Sequence, residues 1–272
     1  MKSKTWIIIL ILSGLLFMCL YMIYSAPLSE AEKIVQKYIA FSGGKKAFQK
    51  VENCYLEIKH LAGDNSQQLN LWVLDKKYRR AESIFLDTTR IQISNFTKTF
   101  EFTREIGEPS YAIVDPDFQK NFQMKLRIEN NFPPVALGRY RENNSKIYLA
   151  QHTPIGTAVI KLQTADSSVV YFELEEKTGK LVSSSVGFMD TKDNSYLIET
   201  TTYSMYKQTK DGYKYPSFLD CDAIRTGRDT SIKSREYRNV TYAFLNIEME
   251  DSLFKMPSQE NKYIYSIYSL PF

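Results

Sequence analysis

From Cys54 to Met249 apolar residues return at every second position in one short segment after another, and that period most constrains the fold. Successive side chains of a strand point to opposite faces, so a period of two marks sheets with one face buried. Cys54, Leu56 and Ile58 alternate with Tyr55, Glu57 and Lys59. The turn residues Gly63, Asp64 and Asn65 then lead to Leu69, Leu71 and Val73, which reads as a hairpin. Further strands are expected at Tyr78 to Phe85, Arg90 to Ser94 and Lys98 to Thr103. After an interruption they resume at Lys146 to Ala150, Ala158 to Gln163, Val169 to Leu174, Leu181 to Met189, Tyr196 to Tyr206, Tyr213 to Leu219 and Tyr237 to Met249. Short strands joined by plain turns make an antiparallel meander. A 14% aromatic content agrees, because aromatic side chains pack well on a pleated surface.

Helical signals are few. Ser29 with Glu32 three residues later forms a capping box, and Ala31, Ile34, Val35, Tyr38 and Ile39 follow at the spacing of one helical face. Gly43 and Gly44 end that helix. Asp117 can cap a second helix carrying Phe118, Phe122, Leu126 and Ile128, and Pro133-Pro134 can open a third through Val135, Leu137 and Tyr140. The expectation is an α+β domain over residues 27–272, with one large antiparallel sheet of about eleven strands and helices over its concave face.

Residues 1–26 stand apart. After Lys2 and Lys4 no charge occurs until Glu30, and Trp6 to Ala26 is almost wholly apolar. About 20 such residues span a bilayer, whereas a secretory signal core is shorter. Tyr24-Ser25-Ala26 is the one plausible cleavage site, and Pro27 after it disfavours cleavage. Residues 6–26 therefore read as an inner-membrane anchor or, if cut, a signal, and the positive-inside bias puts the rest outside the cytoplasm.

Charge and motifs exclude more than they identify. The chain has 35 Lys plus Arg against 31 Asp plus Glu, with no basic block suited to nucleic acid. Two histidines, His60 and His152, are too few for the usual zinc sites, and no nucleophile elbow, P-loop or dinucleotide fingerprint occurs. No catalytic residue, metal or cofactor is expected. The acidic groups around Asp115, Asp190 and Asp220 read as turn chemistry. Cys54 and Cys221, alone outside the apolar segment, are a candidate disulfide or a pair of buried thiols. What remains is an apolar interior able to take a lipid tail, for which burial gains about 0.8 kcal/mol per methylene. Its candidate lining is Trp72, Phe85, Ile91, Phe100, Phe102, Val170 and Phe172 in the sheet, with Phe118, Phe122 and Leu126 on the covering helix.

The order of elements also resembles a family. Phe41-Ser42-Gly43-Gly44-Lys45-Lys46-Ala47-Phe48, then Asp75-Lys76-Lys77-Tyr78-Arg79-Arg80, and later Phe172 to Leu181 with Lys177-Thr178-Gly179-Lys180, are similar to the outer-membrane lipoprotein-sorting proteins of the LolA and LolB type. So are Asp211-Gly212-Tyr213-Lys214-Tyr215-Pro216 and the closing Val240 to Pro257. The resemblance, over about residues 29 to 257, implies an unclosed β-barrel with helices over its concave side. It also implies a periplasmic protein that shelters acyl chains of lipoproteins or lipids and performs no covalent chemistry. An envelope sensor or scaffold domain of the same fold that binds a partner protein is the alternative.

Overall fold

Ser29 opens the helix that its capping box predicts. Its backbone N–H donates to Glu32 Oε2 at 2.8 Å, while the Glu32 N–H donates to Ser29 Oγ at 3.2 Å. The computed structural model describes residues 27–49, 51–61, 68–74, 78–85, 88–94, 99–105, 109–112, 135–165, 167–190, 195–227 and 231–255. Helix α1 runs Glu30–Phe41, and the expected face of Ala31, Ile34, Val35, Tyr38 and Ile39 is the buried one. The short α2, Lys45–Gln49, follows.

Thirteen strands come next: β1 Asn53–His60, β2 Gln68–Leu74, β3 Tyr78–Phe85, β4 Thr88–Ser94, β5 Thr99–Glu105 and β6 Pro109–Ala112. After α3, Val135–Gly138, come β7 Lys146–His152, β8 Thr157–Gln163, β9 Val169–Glu175, β10 Leu181–Asp190, β11 Ser195–Gln208, β12 Lys214–Thr226 and β13 Ser231–Leu245. They form one antiparallel sheet ordered β6-β5-β4-β3-β2-β1-β13-β12-β11-β10-β9-β8-β7. Each hairpin pairs with its neighbour, and β13 returns beside β1 to join the two halves. β6 and β7 stand at opposite edges, so the fold is an unclosed, barrel-like α+β sheet. The additional strand relative to the sequence reading is β6, whose four residues show no alternation.

Two cores lie on opposite faces. On the face carrying α1, called inner below, Leu56, Ile58, Leu71, Ile160, Leu162, Val170, Phe172, Leu174, Tyr203, Leu219 and Val240 pack with Ile34, Val35 and Tyr38 into the main cluster. On the outer face, Ile93 and Phe254 are buried together, with Ile91, Met249 and Leu253 against them. The chain reaches that face after β13, and Arg80 Nη1 donates to the Leu253 carbonyl at 2.9 Å while also pairing with Glu82. The expected hairpin turn at Gly63 to Asn65, the helix from Asp117 to Ile128 and the apolar segment 1–26 lie outside the described residues. The helix expected after Pro134 is α3, whose Leu137 is fully buried.

Candidate functional site

Register decides which side chains share the inner face. Cys54, Leu56 and Ile58 of β1 pair with Val73, Leu71 and Leu69 of β2, and Leu71 pairs with Ala81 of β3. In the other half, Leu219 pairs with Tyr203, Ser184 with Phe172 and Phe172 with Ile160, all on the same face. Alternation then puts the other set outward. Ile93 pairs with Arg80 and Phe100, and Ile91 with Glu82 and Phe102, so these positions share the outer face with Tyr55 and Trp72.

The candidate lining read from sequence therefore does not form one surface. Val170 and Phe172 lie on the inner face, fully buried in the main core. Trp72, Ile91, Phe100 and Phe102 hold outer-face register, with Ile91 in the smaller core, whereas Phe85 keeps step with Ala81 on the inner side. Phe118, Phe122 and Leu126 lie outside the described residues. The inner-face residues missed by sequence reasoning are Leu69, Val73, Leu197 and Ala243, half-buried at the margin of the core. Continuing the β1 alternation into β2, rather than following bulky aromatics, would have found the first two.

The inner apolar surface ends in a charged trio at the end of β1. His60 Nδ1 lies 3.5 Å from Glu236 Oε2, and Arg238 Nη2 donates to the same oxygen at 2.7 Å. His60 first and Arg238 second hold the Glu236 carboxyl down to about 2. The other end, beneath the last turns of α1, is closed by tyrosines. The Tyr203 hydroxyl lies 2.7 Å from Ser184 Oγ, and the Tyr206 hydroxyl donates to the Leu181 carbonyl at 2.7 Å. Burial raises the pKa of Tyr38, Tyr203, Tyr206 and Tyr213, so none serves as a base near neutrality.

A second polar cluster surrounds the N-terminus of α1. Tyr140 donates its hydroxyl proton to Glu32 Oε1 at 3.0 Å, Arg141 Nε donates to the Tyr140 oxygen at 2.8 Å, and Arg141 Nη2 pairs with Glu32. Arg141 is the chief cause that holds the Glu32 carboxyl down to about 2. An open cleft of about 350 Å³ lies beside it, lined by Ser29, Glu32, Tyr140, Lys146, Ile147 and Tyr148. His152 joins the ends of two elements, with Nε2 3.2 Å from Glu30 and Nδ1 2.6 Å from Glu176.

Two residue groups behave differently from the sequence reading. Asp220 and Asp222 sit within β12 rather than in a turn, where Arg235 Nε donates to Asp220 Oδ1 at 2.9 Å and lies 3.6 Å from Asp222. Cys54 and Cys221 are free thiols, not a disulfide. On their shared neighbour β13 they stand opposite Leu245 and Glu236, nine positions apart. That is about 30 Å at 3.3 Å per residue, whereas a bridge needs Cα atoms within about 7 Å. Burial pushes the Cys54 thiol up to about 12, which makes it inert. Among the described residues no group of three or more His, Cys, Asp or Glu side chains could hold a metal.

No protein-family model and no curated protein matches this sequence. Among solved structures, the chain is similar to a crystal structure described as an outer membrane lipoprotein-sorting protein domain from Vibrio parahaemolyticus. The identity is 14% and the TM-score 0.43, over 82% of this chain and 94% of that one. A second likeness, to the di-domain ARO/CYC StfQ from the steffimycin biosynthetic pathway, has 11% identity and a TM-score of 0.16, over 77% of this chain and 81% of that one. At those scores neither likeness decides fold or function, and the architecture above rests on the chain's own registers.

Proposed function

We propose that this chain is an extracytoplasmic, periplasmic protein that shelters acyl chains of lipids or lipoproteins on the inner face of its unclosed sheet. In this reading it is not an enzyme. It is held at the inner membrane by residues 6–26, or released where that segment is cut. One observation carries the reading: the apolar inner face is broader than the helix laid on it. Apolar inner positions run from Ala81 of β3 round to Ile147 and Leu149 of β7, whereas β4 places Arg90 and Gln92 there; those ten strands make nine steps of about 4.8 Å, roughly 43 Å across, and among the described residues the twelve of α1 are about 18 Å long. Leu69, Val73, Leu197 and Ala243 are among the half-buried residues that mark the margin of the core. An acyl chain laid there removes apolar surface from water, and the trio of His60, Glu236 and Arg238 supplies hydrogen-bonding partners for its polar end.

A diazirine-bearing fatty acid photolysed with the full chain tests the proposal. Adducts at Leu69, Val73 or Leu197 support it. Adducts confined to residues 6–26, or none, reject it. The alternative, a sensor or scaffold domain that binds an envelope protein, draws on the outer face, where Tyr55 and Tyr242 both stack on Phe244 and Phe218 stacks on Tyr237. Capture of a protein on that row, with no acyl adduct inside, would favour it.

A further inference from the structure

β7 is an edge of the sheet, and one of its flanks is open. Lys146–His152 pairs with β8 on one side, and among the described residues no strand lies on the other. In an antiparallel ladder alternate residues of an edge strand turn their N–H and C=O groups away from the neighbour, so this flank presents a backbone that another strand can join. The chain on either side is engaged elsewhere. The Ser145 N–H donates to the Tyr140 carbonyl at 2.8 Å, and the Thr153 N–H to the Thr157 carbonyl at 2.7 Å. A register shift between Leu149 and Gln151 interrupts the ladder at Ala150, which leaves Lys146 to Leu149 as the regular part of the edge.

The cleft of about 350 Å³ lies along this part. Its lining takes in both faces of β7, Ile147 on the inner side and Lys146 and Tyr148 on the outer, with Ser29, Glu32 and Tyr140 beside them. A hollow that straddles a free strand edge fits an added strand, whose side chains alternate between the two faces as those of the edge do. Charge selects among such strands. Lys146 is exposed and has no ion pair among the described residues. Lys161, opposite Tyr148 on β8, holds its Nζ over the Tyr148 ring, 6.0 Å from the centroid. Glu32 is held by Arg141, and Glu173 on β9 accepts from the hydroxyls of Thr157 and Ser183.

We infer that β7 takes up an extended segment of a partner protein as an added strand. That segment carries apolar residues on the inner side, beside Ile147 and Leu149, and acidic residues on the outer side, beside Lys146 and Lys161. A second copy of this chain is the poorer occupant. Pairing Ile147 with Leu149 across a two-fold axis would gather two Lys146 and two Lys161 side chains on one face, and neither β7 nor β8 has an acid to offset them. The inference goes beyond acyl binding and does not rest on it, because an added strand is held through the backbone of the edge.

Fluorescence anisotropy of labelled peptides with the full chain in detergent tests it. The peptides alternate valine with glutamate, serine or lysine, and two further versions of the glutamate peptide are N-methylated at every valine or at every glutamate amide. Affinity should fall from glutamate to serine to lysine. One methylated version should fail to bind while the other binds, because only alternate amides face β7. Lys146→Glu should weaken the glutamate peptide about fivefold. p-Benzoylphenylalanine in place of Tyr148 should cross-link to that peptide, and in place of the 72% exposed Met205 of β11 it should not. Binding of no peptide, equal effects of the two methylations, a lysine peptide bound as well as the glutamate one, or cross-links from position 148 only to a second copy would overturn the inference. Leu197→Glu, which should lose acyl lipid, should bind the glutamate peptide unchanged, so either proposal can fail alone.

Discussion

The turn between β9 and β10 sets the position of α1, and one methyl group measures how closely. Gly179 has φ +75°, and its N–H donates to the Glu175 carbonyl at 2.8 Å. Helix α1 lies directly on it. A Cβ there would collide with backbone atoms of Lys37 and Tyr38, 2.6 Å from the Lys37 carbonyl oxygen, while Lys37 Nζ donates to the Glu176 carbonyl at 2.6 Å. Gly179→Ala therefore carries two penalties. The left-handed backbone disfavours an L residue by about 1–2 kcal/mol, and forcing atoms into a filled space adds about 1–3 kcal/mol. Gly156 separates them, since at φ +81° it has nothing within 4 Å of an added Cβ. Gly156→Ala carries the backbone penalty alone. In urea denaturation followed by circular dichroism, Gly179→Ala should lose about 1–3 kcal/mol more than Gly156→Ala. At about 2–4 °C per kcal/mol for a domain of this size, the thermal midpoint should fall several degrees further. Equal losses would refute the close approach of α1 to the turn.

Other consequences follow from the two polar clusters and the thiols. Glu32 is held down to about 2 by Arg141, so its contribution is present above the ordinary value of 4.5 and is lost as pH falls from there towards 2. Urea midpoints across that window should drop for the parent and stay flatter for Glu32→Gln. Glu176 chiefly, with Glu30, raises the pKa of His152 above 6.5, so its contribution is complete below 6.5 and fades as pH rises through the raised value. His152→Gln should remove that slope, and because the ring is exposed the effect should shrink in high salt. Alkylation of the unreduced, denatured full chain should label three thiols, Cys19, Cys54 and Cys221. One label would contradict the free pair.

Where sequence and structure agree, one local pattern had one reading. The capping box and the 3, 4, 7 spacing after it place α1 because a helix of that length has only one apolar face to bury. Most strands were legible for the same reason. The apolar period marks only Tyr213 to Leu219 of β12 and β13 only from Tyr237, because Asp220, Asp222, Arg225, Lys233 and Arg235 interrupt it. The structure explains the interruption: from Asp220 to Thr226 no residue of β12 is buried, and Ser231 to Arg235 of β13 are all exposed, so alternation there has little to encode. The lining failed on a different point. Ile91, Phe100 and Phe102 alternate as well as Leu69 and Leu71, but alternation alone does not say which face is inner, and η1, Asp251–Phe254, gives the outer face a core of its own.

Native mass spectrometry of the full chain, released from detergent, tests acyl binding most directly, with the parent compared against Leu197→Glu. Leu197 lies half-buried at the inner margin, where a carboxylate opposes an acyl chain while leaving the sealed core around Phe172 intact. Acyl lipid should stay on the parent and be lost from Leu197→Glu, with little change in the denaturation midpoint. Equal lipid on both proteins, or a parent that carries none, would contradict it.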